Sequence, residues 1–120
     1  MGPGALAPGV IRCDPLGYQE FLSLAADSAL IISDSGGVQE EASVLGRPVV
    51  VVRRSTERPE ALGDFAELVS PGPEVLRAAC RLLDDIDAVH QRLGALPSPF
   101  GDGGATRRCE EVLRALVPGL

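Results

Sequence analysis

The residues best suited to chemistry lie together in Asp34-Ser-Gly-Gly-Val-Gln-Glu-Glu41, directly after the apolar run Ala29–Ser33. An apolar run reads as a buried strand, and Gly36 and Gly37 let an anion approach bare backbone. A helix that follows supplies unpaired N–H groups and the positive end of its dipole. Ser35, Gly36 and Gly37 can thus hold a diphosphate without a lysine, although the same strand, turn and helix can simply reverse the chain. Glu40 and Glu41 are expected in the first turn of this helix, with Glu41 one turn past Gly37 on the same face. A carboxylate there repels phosphate but can accept both hydrogen bonds of a vicinal diol, as a ribose offers; a solvated helix residue is the alternative reading. Arg58 precedes Pro59, which pushes its backbone towards an extended form, and its guanidinium can pair with diphosphate oxygens through parallel hydrogen bonds. Arg53 and Arg54 read as surface residues, and Thr56 and Glu57 as caps of a turn at Pro59–Leu62.

Short apolar runs alternating with helical patterns must position these groups, which predicts an α/β fold with a parallel sheet. Val10–Cys13 is a strand candidate. Asp14 and Pro15 then open a helix with Tyr18, Phe21, Leu22 and Ala25 on one face; Phe21 by itself reads as core. The second strand is Ala29–Ser33, and a helix from Gly36 ends at Gly46, before Pro48 and the strand Val49–Arg53. The polar loop Arg53–Glu60 then lies at the carboxyl edge of the sheet, where open parallel sheets bind ligands. Ala66–Ser70 reads as a last strand. Pro73 opens a helix with Val75, Leu76, Ala79, Leu82, Leu83 and Ile86 in one stripe and a break near Asp84–Asp87. His90 reads as an exposed residue of the following helix. A final helix places Cys109, Val112, Leu113 and Leu116 together.

Composition sets bounds on function. With 120 residues and 45% hydrophobic composition, the chain can form one compact domain or part of one. A net charge of −6 argues against nucleic-acid binding, which relies on Lys and Arg to neutralise phosphates. No apolar run reaches membrane-spanning length, so the expectation is a cytoplasmic protein without a membrane partner. Cys13, Cys80 and Cys109 are too widely spaced for a disulfide framework or zinc site and read as buried thiols. The pattern calls for no metal and no cofactor.

Several motifs in order, Asp14-Pro-Leu-x-Tyr-x-x-Phe21, Asp34-Ser-Gly-Gly-Val-Gln-Glu-Glu-Ala42, Leu45-Gly-Arg-Pro48, Thr56-Glu-Arg-Pro-Glu60 and Pro99-Phe-Gly-Asp-Gly103, resemble the C-terminal part of the non-hydrolysing UDP-N-acetylglucosamine 2-epimerases. The resemblance covers nearly the whole chain after Gly9. It implies a glycosyltransferase-B type fold of two Rossmann-like domains, of which this chain carries an incomplete C-terminal one, over residues 10–120, behind a disordered or leader-like segment 1–9. It also implies that Ser35, Gly36 and Gly37 bind the diphosphate, that Glu41 binds the ribose, that Arg58 touches the nucleotide, and that Leu16 and Phe21 flank the uridine.

The family interconverts UDP-GlcNAc and UDP-ManNAc, precursors of cell-surface polysaccharide, by eliminating UDP to a glycal and adding it back after reprotonation. By resemblance the catalytic acidic residues and histidine lie in parts that no position here matches, so the chain is expected to bind a UDP-sugar and to be inactive alone. The first two strands of the family's second domain are expected to be missing, leaving the strand at Ala29–Ser33 with an unpaired flank. A complementing N-terminal domain or a homodimer is the expected protein partner. Two further readings stay open: part of a sugar-nucleotide glycosyltransferase, and a non-catalytic binding module.

Overall fold

The computed structural model describes residues 6–117, so residues 1–5 of the expected leader-like segment lie outside it. Helix α1 (Tyr18–Asp27) leads to strand β1 (Ile31–Ser33), helix α2 (Gly36–Leu45), strand β2 (Val49–Val52) and a 3-10 turn at Pro59–Ala61. Strand β3 (Ala66–Val69) and helices α3 (Pro73–Leu83), α4 (Ile86–Ala95) and α5 (Ala105–Leu116) follow. The three strands form a parallel sheet in the order β1-β2-β3, with Ile31 opposite Val49 and Val49 opposite Ala66.

Four consecutive valines make β2 the centre of the sheet, because a parallel strand covered on both sides needs apolar residues facing each way. Val49 and Val51 pack with Ala42 of α2, Leu93 of α4, Ala61, Phe65 and Ala66. Val50 faces the other layer, with Val69 and with Ala78 of α3. All three of these valines are buried, each contributing about 1.5–3 kcal/mol of transfer free energy. Helix α2 closes as expected at Gly46, whose φ of 65° is left-handed, while the Arg47 N–H turns back to the Ala42 carbonyl at 2.9 Å.

Strand β1 is an edge of the sheet, as expected, and leaves Ile32 half exposed. Residues Val10–Cys13, however, form no strand: Val10 and Ile11 are exposed, because no neighbouring ladder takes up their backbone groups. Helix α1 starts at Tyr18 rather than at Asp14, since the Glu20 carboxylate accepts the Gly17 N–H at 2.7 Å and fixes the cap there. Tyr18 is exposed. The stripe of α3 is turned from its expected line: Val75, Ala78, Ala79 and Leu82 face inward, while Leu76 and Leu83 are exposed. The break falls at Asp84 and Asp85, as read.

All three thiols are exposed, contrary to expectation. Cys13 lies in the unpaired segment, Cys80 on the outer side of α3, and Cys109 on α5, which has no buried residue. No helix of the described residues is long and apolar enough to cross a membrane.

Candidate functional site

The glycine turn sits where β1 ends and α2 begins. Ser35 occupies the cap position in extended conformation (φ −86°, ψ 133°), its side chain makes no capping hydrogen bond, and its N–H donates to Ser33 Oγ at 3.1 Å. The opening N–H groups of α2 therefore carry no side-chain acceptor among the described residues, and they add to the positive end of the helix dipole. Neither Gly36 nor Gly37 has a positive φ, so backbone conformation does not demand glycine there. Clearance does. A Cβ on Gly37 would meet nothing within 4 Å, whereas one on Gly36 would collide with Glu57 Oε1.

Because α2 starts at Gly36 itself, Glu40 and Glu41 stand in its second turn rather than its first. Glu41 is half-buried, and its side chain makes no hydrogen bond or ion pair among the described residues. Glu40 is committed, its Oε1 paired with Arg58 Nε. The guanidinium of Arg58 thus reaches back onto α2, one helical turn beyond Gly36.

What holds Arg58 in this position is Gln39, a residue the sequence reading passed over. Gln39 is fully buried, and its side-chain amide pairs with Thr56 Oγ1, Nε2 donating at 3.1 Å and Oε1 accepting at 3.2 Å. Thr56 Oγ1 also accepts the Arg58 N–H at 3.0 Å. Thr56 and Glu57 therefore do not cap the turn at Pro59: Arg58 is its cap residue, without a side-chain bond, and Thr56 ties the loop to α2 instead. Gln39, Ala42 and Ser43 share helical spacing and form the buried face of α2, but nothing local names Thr56 as the partner of Gln39.

Glu57 completes the cluster. Arg53 Nη1 donates to Glu57 Oε2 at 2.6 Å, so Arg53 is engaged rather than a free surface charge. Contact with its own backbone, and then the Arg53 and Arg58 guanidinium groups, outweigh desolvation and hold the Glu57 carboxyl below the usual carboxylate range. Leu16 is exposed in the segment before α1, and Phe21 is half-buried on α1, which packs against α2.

A second polar assembly braces the far end of α2. Arg47 Nε donates to the Ala26 carbonyl at 2.8 Å, its Nη1 lies 2.8 Å from His90 Nδ1, and His90 Nε2 lies 2.7 Å from the Ala29 carbonyl. His90 is consequently half-buried, not exposed, with its ring joining α4 to the entry of β1. Ser43 Oγ meets Ser98 Oγ at 2.8 Å and ties α2 to the turn-rich loop before α5.

Parallel strands with helices on both faces, and an uncapped helix start at the carboxyl edge of the sheet, define a Rossmann-like α/β unit. The family model described as UDP-N-acetylglucosamine 2-epimerase matches residues 4–114, and the chain belongs to that family. It is 41% identical over 108 residues to the UDP-N-acetylglucosamine 2-epimerase of Campylobacter jejuni, covering 88% of this chain and 27% of that protein. The Yersinia pestis enzyme of the same name is 44% identical over 110 residues, covering 89% of this chain and 28% of its own length. Among solved structures, the Neisseria meningitidis UDP-GlcNAc 2-epimerase bound to UDP-GlcNAc superposes with a TM-score of 0.73 at 34% identity, covering 86% of this chain and 28% of that one. The chain thus spans little more than a quarter of these relatives, and its fold is the corresponding part of a glycosyltransferase-B-like architecture.

Proposed function

We propose that this chain is the UDP-binding C-terminal portion of a UDP-N-acetylglucosamine 2-epimerase, serving the interconversion of UDP-GlcNAc and UDP-ManNAc in the cytoplasm. The uncapped start of α2 at Gly36 and Gly37, with the Arg58 loop anchored beside it by Gln39 and Thr56, is the observation that carries this reading. Ser35, Gly36 and Gly37 meet the diphosphate through backbone N–H groups. Glu41, half-buried and uncommitted, accepts the ribose hydroxyls. Arg58 turns from Glu40 to the nucleotide, and Leu16 and Phe21 flank the uracil. The acid and base groups that invert C2 come from a complementing N-terminal domain, so this chain by itself retains UDP and turns over no sugar.

Titration of the chain with UDP by calorimetry tests the reading. Saturable binding is expected, and Arg58→Ala weakens it by about 1.5–3 kcal/mol, the range for hydrogen bonds to charged groups. Equal affinity in wild type and Arg58→Ala removes Arg58 from the site. No saturable heat leaves a scaffold without the ligand. Sugar transfer without epimer formation, once the chain is joined to an N-terminal domain, assigns it instead to a glycosyltransferase.

A further inference from the structure

The carboxylate of Glu57 lies directly against Gly36, on the side where a Cβ would project, while Gly37 next to it is open. It is not a stray surface group. Arg53 holds one of its oxygens at 2.6 Å, and the loop that carries it is pinned to α2 through Thr56 and Gln39. An anion is thereby fixed beside the positive end of a helix that has no side-chain cap of its own.

We infer that Glu57 is the resident counter-anion of the glycine turn, and that an incoming diphosphate must displace it. The inference rests on the reading of Gly36 and Gly37 as a diphosphate cradle. Two anions cannot share the space beside Gly36, since their repulsion adds to the loss of the helix-end attraction for whichever one is moved off. Displacement also releases Arg53 from Glu57, so the exchange brings a second guanidinium within reach of the ligand. Glu57 in this role sets affinity rather than chemistry: it guards the cradle against weak single-charged anions and yields to a diphosphate.

The test is calorimetric titration of the whole chain and of Glu57→Gln with UDP and with uridine. Glutamine keeps the size and can still accept from Arg53, but carries no charge. UDP affinity is expected to rise about 3- to 10-fold in Glu57→Gln, the scale of one like-charge repulsion at a solvated site, with uridine affinity unchanged. Unchanged uridine binding also shows that the variant is folded. UDP affinity that stays level or falls in Glu57→Gln overturns the inference while leaving the UDP-binding reading intact. Absence of UDP binding to both proteins overturns both together.

Discussion

Replacing Gln39 by leucine isolates the device that aims Arg58. Gln39 is fully buried and gives two contacts to Thr56 Oγ1, at 3.1 and 3.2 Å. Leucine is close to glutamine in volume, so the substitution opens no large cavity and adds apolar burial. Thr56 Oγ1 keeps the Arg58 N–H at 3.0 Å as donor and is only half-buried, so its hydroxyl can turn to water. The loss is therefore that of a hydrogen bond without a stranded partner, about 0.5–1.5 kcal/mol. For a domain of this size each kcal/mol lowers the thermal midpoint by about 4 °C. The decisive assay is a double-mutant cycle by urea unfolding with Gln39→Leu, Thr56→Val and the pair. A shared bond makes the loss in the pair smaller than the sum of the single losses, although Thr56→Val also removes the acceptor of the Arg58 N–H. Strict additivity, within about 0.5 kcal/mol, would refute the claim that these side chains form one anchor.

Gly46→Ala is expected to destabilise the chain by about 1–2 kcal/mol, because Gly46 sits at φ 65°, while an added Cβ would make only ordinary contact with the Gly94 backbone; chemical denaturation measures it. Asp102 governs the start of α5 in acid. The Gly104 N–H at 2.9 Å and then the Arg108 guanidinium hold its carboxyl below the ordinary 3.8. A depressed value means that its contribution is complete above pH 3.8 and is lost as pH falls through the lower folded value. Circular dichroism between neutral pH and strong acid should show an acid loss of α5 helicity that Asp102→Asn lacks.

The elements legible in the sequence are those whose signals are local. Val49–Val52 is an unbroken apolar run and could only be a strand covered on both faces. Gly46 before Pro48 announced the end of α2, and Ser33 to Gly37 announced its start. Failures came where the outcome depended on a distant partner. Val10–Cys13 has strand composition but no ladder beside it, and Cys109 shares an apolar face with Val112 and Leu113 that nothing among the described residues covers. The site divides along the same line. Gly36, Gly37 and Glu41 follow from one strand, turn and helix; the anchoring of Arg58 through Gln39 and the placement of Glu57 on Gly36 join residues 17 or more positions apart, and no local pattern encodes them.

On the proposed reading, those long-range contacts are how a chain of net charge −6 would present an anion site. Its loop arginines are not free charges waiting for a ligand: Arg53 is paired with Glu57 and Arg58 with Glu40. Both pairs are partly exposed, so water screens them and the net contribution of each is small. Breaking one is therefore cheap, whereas a charged hydrogen bond to a diphosphate oxygen contributes about 1.5–3 kcal/mol. On the proposed reading, ligand binding would be an exchange of anions at fixed cations rather than the meeting of opposite free charges. The consequence distinguishes two neighbouring residues by sign: removing the cation at Arg58 loosens UDP, while removing the charge at Glu57 tightens it. A site built on net positive potential would instead lose affinity at Arg58 and barely respond at Glu57.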